Sequence, residues 1–461
     1  MNSKSTSNYE AAIAAGKTYL SEYQPLERCD LLALYAAAQE YQGERYFWRT
    51  PDETTRMVGL GWLVTFSQPK LADFSEVRSL LKQAHYQPEA PFQAQLVGGF
   101  AFDEQAEVSQ DWAELGAGLF ALPEILVRKT GDQCGVVYTV AASSEEQRQQ
   151  KVAALQEKVA ALQEKVASWL NANPDKSLVA ETPAFQAQEE LEVPQWLQTV
   201  EETVAAIRSN ETPLKKVVLA RRMKIETKQS IISAGVLQRL AQQQPNTYLF
   251  AIEHGGHVFA GATPERLLKA TVDQFETVSI AGSAPRGQTK EEDEALAQAL
   301  LADAKNTHEH QVVVDRLETA LATLLADGFQ SEARSVIKNR DIQHLFVPLA
   351  GQRKAGVNFL SAVQKLHPTP ALGGEPKEAA VSWIRTHEPA SRGMYGGPIG
   401  WLGIQEDVGE FAVAIRSGFF SGNQATLYAG CGIVADSDAE SERQETRLKF
   451  QPMRRGILGD E

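Results

Sequence analysis

The sequence contains little cysteine: Cys29, Cys134 and Cys431 are its three cysteines among 461 residues. An odd number of widely separated cysteines argues against a disulfide framework and is typical of a protein from a reducing compartment. No apolar run approaches the roughly 18 residues of a membrane-spanning helix, and the N-terminus lacks the apolar run of a signal peptide. These absences predict a cytoplasmic protein without a membrane partner.

Nucleotide-binding motifs and an excess of basic residues are also missing. Neither a GxGxxG motif nor a P-loop occurs, so a nucleotide cofactor has no support. The chain has 45 Lys and Arg against 59 Asp and Glu, a net charge of −14. This charge disfavours nucleic acid as a partner. An acidic substrate would therefore need cations, or a metal, placed locally.

Strand-like and helix-like patterns alternate in a way that predicts an α+β protein with antiparallel sheets. The length alone suggests about three domains, and the proline-containing segment 171–195 is typical of a connecting segment. Strands are predicted at 46–49, 59–64, 98–102, 217–220, 248–252, 411–415 and 426–429, and helices near 291–326 and 375–385.

A tandem repeat interrupts the first half of the chain: residues 151–157 are copied without change as residues 158–164. Apolar residues fall on the a and d positions of a heptad, at Val152, Leu155, Val159, Leu162, Val166 and Trp169. The repeat predicts a helix near 145–170 that duplication has lengthened on the surface. The alternative is a short coiled coil, and with it an interaction protein rather than an enzyme.

The segment around Gly430 and Gly432 combines a glycine-lined strand end with a helix start. Glycines let a backbone approach a ligand closely, and Ser437 followed by Glu440 fits a capping box. In the helix that follows, Glu442, Glu445 and Lys449 share one face. These residues could hold a divalent cation and an anionic ligand together, or they could form an ordinary solvated helix.

Other charged residues lie in apolar surroundings, and each admits two interpretations. Lys216 on a strand could be a base of lowered pKa or a lysine that reaches water. Glu265 could be a buried acid or an ordinary acidic residue in the first turn of a helix. Glu309 continues an apolar helical stripe and so needs a partner, for which a metal would serve. Zinc is disfavoured because no HExxH motif occurs.

Two further candidates stand beside predicted strands. Arg416 follows a strand with small neighbours, and it could grip a ligand carboxylate in a bidentate manner or be an ordinary strand-end arginine. His344 beside a strand is usually structural. The segment 366–376 is too rich in proline and glycine for regular structure, so it predicts a shaped loop.

In order along the chain, these segments resemble the chorismate-utilising enzymes, and within them the isochorismate synthases. The resemblance runs from about residue 215 to residue 449. It rests on the motifs KKVVLAR, ATPERL, IAGSAPRG, DAKNTHEH, IQHL, LHPTPALGG, SRGMYGGPIGW, FAVAIRS, YAGCGIV and ERQETRLK.

The resemblance implies one large α+β unit in which two antiparallel sheets pack together with helices outside. Residues 1–190 would form its N-terminal part and residues 195–455 the chorismate-binding catalytic region. The activity implied is the isomerisation of chorismate to isochorismate by addition of water and loss of hydroxide, dependent on Mg²⁺.

Site residues follow from the resemblance. It implies that Lys216 is the general base and Glu265 the general acid. Metal ligands would be Glu309 and Glu445, with Glu442 nearby. The substrate site would be lined by Gly282, Ser283, His344, Ala371, Tyr395, Arg416, Gly430 and Lys449.

Within the family, individual residues point to a branch. Lys216 favours water over ammonia as the nucleophile, and no glutaminase subunit is expected. Salicylate-forming members tend to carry threonine where this chain has Ala371. The menaquinone pathway is favoured by the long N-terminal region, and the siderophore pathway and salicylate synthesis stay open as alternatives. A monomer or a weak homodimer is expected.

Overall fold

The computed structural model describes residues 18–27, 30–71, 74, 89–109, 112–116, 118–172, 181–209, 211–340 and 342–460, without the side chains of residues 18, 172, 281, 305, 309 and 312. Its strands are β1 Thr18–Pro25, β2 Arg45–Arg49, β3 Thr55–Ser67, β4 Gln95–Gly99, β5 Leu119–Thr130, β6 Gln133–Ala142, β7 Phe185–Glu190, β8 Lys216–Thr227, β9 Tyr248–His254, β10 His257–Thr263, β11 Arg266–Ala270, β12 Gln274–Pro285, β13 Gln330–Ser331, β14 Ser335–Lys338, β15 Ile342–Gln352, β16 Gly374–Glu375, β17 Pro398–Gly403, β18 Gly409–Val413, β19 Ser417–Ser421 and β20 Gln424–Ile433.

The α-helices of the described residues surround these strands. They are α1 Leu31–Ala37, α2 Glu145–Ala172, α3 Val193–Ser209, α4 Ser233–Gln243, α5 Lys290–Ala302, α6 Ala304–Leu321, α7 Phe359–Leu366, α8 Lys377–His387 and α9 Ala439–Leu458. None of the described helices is long and apolar enough to cross a membrane.

The strands pair antiparallel in two sheets that share β3 and β5. The first sheet runs β1-β6-β5-β3-β2-β9-β10-β19-β20-β8-β7. The second runs β3-β5-β4-β17-β18-β11-β12-β15-β14. The β3–β5 register shifts between Trp62 and Val64, where the shared strands leave one sheet and enter the other. Such irregularities bend a strand.

The main core contains side chains from both sheets. Trp48 and Phe259 of the first sheet join Ile399 and Phe411 of the second in one buried cluster. The hydroxyl of Tyr46 in β2 also donates to a carbonyl of β17 at 2.8 Å. Two packed antiparallel sheets with helices outside are therefore confirmed, and the expectation of three domains from length alone is wrong.

A second core lies on the outer face of the first sheet. Phe47 points there, opposite to its neighbours Tyr46 and Trp48, because side chains alternate along a strand. Helices α1, α2, α4 and α9 cover this face with Leu34, Leu155, Leu237 and Ile457.

The duplicated heptad forms most of α2, as predicted. The apolar seam formed by its a and d positions packs against the rest of the chain. Val152, Leu155, Val159, Leu162 and Val166 are all buried and belong to the outer core. Because the seam packs on the molecule's own sheet and α1, it is not left free for a coiled-coil partner.

Three details differ from the sequence predictions. Gly98 and Gly99 end strand β4 instead of opening a strand. The predicted connecting segment includes β7, which pairs with β8, while residues 173–180 within it lie outside the described residues. The helix predicted over 291–326 is two helices, α5 and α6, which meet at Asp303, where the Asp303 side chain caps α6.

Candidate active site

Glu265 and Arg416 occupy two adjacent crossovers between the sheets. Glu265 joins β10 of the first sheet to β11 of the second, and Arg416 joins β18 of the second to β19 of the first. The Glu265 carbonyl accepts from Val413 N at 2.9 Å, and the Arg416 carbonyl accepts from Ala262 N at 3.0 Å. At a crossover the backbone leaves the regular ladder, and Arg416 is close enough to lower the pKa of the Glu265 carboxyl. The region between these two side chains is termed the cleft. Arg416 holds a left-handed backbone there, with φ of 51°.

Glu265 lies in an environment that opposes its ionisation. It keeps some accessible surface toward the cleft, but protein surrounds it, and this burial raises the pKa of its carboxyl to about 7. Arg416, Lys216 and the nearby Thr369 hydroxyl pull that pKa back down without overcoming burial. A carboxyl with a pKa near 7 can hold a proton at neutral pH and release it, as a general acid must. Because Glu265 lies between β10 and β11, it is not an acidic residue in the first turn of a helix.

Lys216 begins β8, and its side chain extends over β20. A Cβ added at Gly432 would lie 2.6 Å from Cε and 3.3 Å from Nζ of Lys216. Any side chain at residue 432 would therefore displace the lysine. The Gly-x-Gly pattern makes room here for a catalytic candidate of the protein itself, whereas its sequence suggested only room for a ligand.

Gly282 forms a bulge in β12 that presents its neighbour to the cleft. The register against β15 shifts between Ala281 and Ser283, and Gly282 has a φ of 69° with Asn306 close to the position of an added Cβ. The Ser283 hydroxyl lies 2.8 Å from Nδ1 of His344, its cross-strand partner. Burial, Arg416 and Lys449 lower the pKa of His344 to about 4, so this histidine is neutral at pH 7.

Tyr395, Gly430 and Lys449 form another wall of the site. Burial raises the pKa of Tyr395 to about 12, so its hydroxyl stays protonated. A Cβ added at Gly430 would lie 3.2 Å from that hydroxyl. Lys449 donates to the Gly430 carbonyl at 2.9 Å and lies 2.6 Å from Glu445.

The candidate metal ligands are carried by helices. Glu442 accepts from Ser437 at 2.8 Å and from the thiol of Cys431, whose pKa is raised mainly by burial. Glu445 is about half exposed and pairs with Lys449. Glu309 lies in α6, but its side chain is outside the described part of the chain.

The described side chains include no group of three or more His, Cys, Asp and Glu that could hold a metal. Glu442 and Glu445 nevertheless offer the ligand chemistry that Mg²⁺ takes, one or two carboxylates completed by water and substrate oxygens. The two residues present are thus compatible with Mg²⁺.

Ala371 lies in the predicted shaped loop between α7 and β16. It is half-buried against the main core, and the loop is held to β8 by a hydrogen bond from Val218 N to the Gly373 carbonyl at 2.9 Å. Sequence reasoning missed Thr369 in the same loop, whose hydroxyl lies near Glu265 and lowers the pKa of that carboxyl. The signal was present, since Thr369 belongs to the motif LHPTPALGG.

The start of α9 corrects one detail of the sequence interpretation. The helix begins at Ala439, and its N-cap is Asp438, whose carboxylate accepts from Ser441 N. Ser437 instead accepts from Val434 N and donates to Glu442. The predicted capping box therefore does not form, but Glu442, Glu445 and Lys449 do lie on the predicted helix.

A family model described as chorismate binding enzyme matches residues 7–458. The chain belongs to this family. The match covers the N-terminal region as well as the motif-bearing half, so both parts of the two-sheet fold are family features.

Curated relatives align over nearly the whole chain. The isochorismate synthase MenF of Bacillus subtilis is 34% identical over 455 residues, which cover 96% of this chain and 94% of that protein. The salicylate biosynthesis isochorismate synthase of Pseudomonas aeruginosa is 32% identical over 437 residues, with 95% and 89% covered.

Solved structures share the fold. MenF, the menaquinone-specific isochorismate synthase from Escherichia coli, superposes with a TM-score of 0.78 at 24% identity, covering 98% of this chain and 100% of that one. Anthranilate synthase component I from Streptococcus pneumoniae superposes with a TM-score of 0.66 at 20% identity, covering 94% and 92%. Proteins with different names therefore share this architecture.

Proposed function

We propose that this protein is an isochorismate synthase, an isomerase that converts chorismate to isochorismate. The observation that carries the proposal is Glu265, a carboxyl whose pKa of about 7 suits proton donation, within electrostatic reach of Lys216 and Arg416. Relatives named isochorismate synthase at 34% and 32% identity support it.

The reaction moves a hydroxyl between two ring carbons, and the site supplies both proton transfers. Lys216, in its neutral form, accepts a proton from water as the water oxygen bonds to one ring carbon. The two conjugated double bonds of the ring each shift by one position, and the bond to the hydroxyl on the other carbon breaks. Glu265 donates its proton to that hydroxyl, which leaves as water. Atoms and charge balance, since one water enters and one departs.

The substrate is a dianion, and the cleft offers it several partners. Arg416 and Tyr395 would bind the enolpyruvyl carboxylate. Lys449 adds positive charge that offsets the acidic surface of the protein. The remaining contacts would come from the bulge and strands that line the cleft, at Gly282, Ser283, His344, Ala371 and Gly430.

Glu445 and Glu309 would hold Mg²⁺, with Glu442 beside them. When bound, the ion would neutralise the ring carboxylate of the substrate. Glu442 is suited to a supporting part because Ser437 and Cys431 already orient it. Treating the protein with a chelator should abolish turnover, and added Mg²⁺ should restore it.

Product analysis tests the proposed function directly. Purified protein is incubated with chorismate and Mg²⁺, with and without ammonia, and products are separated by chromatography. We expect isochorismate in both cases. Anthranilate formed only with ammonia, or no turnover at all, would refute the assignment.

The menaquinone pathway is the proposed context. The relative named MenF from Bacillus subtilis aligns over 96% of this chain, whereas the match to the isochorismate synthase EntC of Escherichia coli covers 258 residues, or 55% of this chain. The siderophore pathway is the alternative. Rescue of a menaquinone-deficient bacterial strain, with no rescue of a siderophore-deficient one, would support the first.

A salicylate synthase is the second candidate function, because one relative is named for salicylate biosynthesis. The Ala371→Thr variant addresses it. The added hydroxyl and methyl would narrow the pocket beside Thr369 and could hold isochorismate long enough for pyruvate to be eliminated. We expect some salicylate and pyruvate from this variant and none from the wild type. A variant that makes only isochorismate at an undiminished rate would remove Ala371 as a basis for excluding salicylate synthesis.

We further propose that residues 195–455 carry the chemistry and residues 1–190 complete the fold around it. Strand pairing supports the second half of this proposal. β2 pairs with β9 and β4 with β17, so strands from residues 1–190 complete the sheets of the catalytic region. We also propose that the protein is a cytoplasmic monomer or weak homodimer and acts without a glutaminase subunit. The alternative of a coiled-coil interaction protein is disfavoured because the seam of α2 is buried within the chain.

A further inference from the structure

A gap in strand pairing lies beside the catalytic lysine. Along one edge of β8, the short strand β16 pairs with Lys216 and Val217. On the same side, β7 pairs only from Met223 onward. None of the described strands pairs with the intervening stretch of β8 at this edge, so its backbone groups need other partners.

Two buried side chains fill the gap. Arg392 donates from Nη2 to the Val218 carbonyl at 2.7 Å, and Glu388 accepts from Ala220 N at 2.7 Å. The two form an ion pair whose side chains are 3% and 5% exposed, with a second contact from Arg392 Nε to Glu388 Oε2 at 2.9 Å. A charged pair thus takes the place of a strand.

Arg392 also reaches the loop that acts on the catalytic acid. Its Nη1 donates to the Leu372 carbonyl at 3.0 Å, three residues after Thr369. Its guanidinium lies 4.2 Å from the ring centroid of Phe102, which limits its movement. One planar guanidinium therefore joins the strand of Lys216 to the loop of Thr369.

Resting on the proposed function, we infer that the Arg392–Glu388 pair is a positioning device for catalysis. It holds the strand of the base at a set distance from the loop that tunes Glu265, so that both proton transfers stay aligned. Neither residue is assigned contact with the substrate. Arginine offers a rigid planar fork of donors that lysine lacks, so a lysine could not reproduce its simultaneous contacts with Val218, Leu372 and Glu388.

Two conservative variants and one matched control test this inference. Arg392→Lys keeps the charge but loses the fork, and Glu388→Gln keeps an acceptor for Ala220 N but loses the charge. The control is Arg45→Lys in the Arg45–Glu253 pair, which is buried to 2% and 1% exposure on the outer face of the first sheet. All three are compared with wild type for kcat, KM and thermal stability.

We expect Arg392→Lys to lose about 100-fold in kcat, the scale of a small misplacement of catalytic groups, with a much smaller change in KM. Glu388→Gln should lose about tenfold. Arg45→Lys should be comparably destabilised yet keep its kcat. A kcat loss in Arg392→Lys no larger than in the control would overturn the inference.

Hydrogen exchange separates this inference from the proposed function. In Arg392→Lys, amide exchange should quicken in segments 217–220 and 370–374 but not in the β2–β9 region, whatever reaction the wild type catalyses. Unchanged exchange in those segments would refute the positioning role. Loss of soluble protein in both variants of the pair, with Arg45→Lys folded, would also refute it by making the pair a requirement for folding.

Discussion

Two carboxylates with arginine neighbours behave in opposite ways in this protein. Glu190, at the end of β7, receives hydrogen bonds from Arg221, Arg443 and Arg447 at 2.8, 3.1 and 2.7 Å. Burial opposes its ionisation, but these hydrogen bonds outweigh burial and lower its pKa to about 2. Glu265 has Arg416 and Lys216 nearby, yet its pKa is raised to about 7.

The difference is one of contact and solvation. Direct hydrogen bonds to a carboxylate favour its charged form strongly, whereas cations acting across a cleft recover only part of the desolvation penalty. The Glu190 cluster is therefore a structural clamp that ties α9 to β7 and β8. The raised pKa of Glu265 lets its carboxyl hold a proton near neutral pH, as its proposed role of general acid requires.

The largest expected effect on kcat comes from Lys216→Ala, a substitution next to Glu265. Loss of a general base should lower kcat by about 10²–10⁴-fold, with folding retained, because Lys216 lies at the start of its strand. Turnover of chorismate is the measurement. Lys215→Ala is the matched control, since Lys215 is exposed and should leave kcat unchanged. Wild-type kcat in Lys216→Ala would remove the lysine from the mechanism.

Glu265→Gln should separate activity from stability. We expect a kcat loss of at least about 10²-fold, because the amide cannot donate a proton in the same way. The raised pKa means that the folded protein binds a proton that the unfolded chain has released. Wild-type stability therefore falls as pH rises from about 4.5 through about 7.

The variant lacks this pH dependence. Above pH 7 it should exceed the wild type in free energy of unfolding by about 1–3 kcal/mol, and near pH 4 the two should agree. Denaturant titrations at several pH values measure the difference. Equal stability at every pH would show that Glu265 is not held protonated by burial.

Glu190→Gln should show the opposite sign. Its lowered pKa contributes stability above about pH 4.5 that is lost as pH falls toward about 2. We expect the variant to lose about 1–3 kcal/mol of unfolding free energy at pH 7 and to lose less kcat than either cleft variant. A loss of activity as large as that of Glu265→Gln would contradict the distinction between clamp and cleft.

The smallest effect on activity is expected from deleting residues 158–164. Val166 then moves into the place of Val159, and α2 shortens by about two turns in the same heptad phase. Two fewer apolar side chains are buried, so stability should fall by about 1–4 kcal/mol. Unchanged kcat with a lower Tm would agree with a helix that only covers the outer core. Loss of activity would show that the outer layer supports the cleft.

Much of the fold and site could be predicted from local pattern. The strands near residues 46, 217, 248 and 426 and the duplicated helix were predictable because apolar periodicity follows the geometry of each element. The family resemblance supplied the identities of Lys216, Glu265 and Arg416, whose roles remain predictions. It included Thr369 in one motif but gave that residue no role, because nothing in a sequence says which loop hydroxyl lies beside a buried acid.

The sequence by itself determined the α+β class, the order of the motifs and the acidic, cysteine-poor character of the chain, since these depend on composition and short spacing. Only the tertiary structure decided that Glu265 and Arg416 sit at neighbouring sheet crossovers, 151 residues apart in the chain. It alone showed that Lys216 lies over Gly432. It also showed that Arg392 and Glu388 bind the edge of β8 where strand pairing is interrupted. These contacts join distant segments, and their energies depend on desolvation, which exists only once the chain has packed.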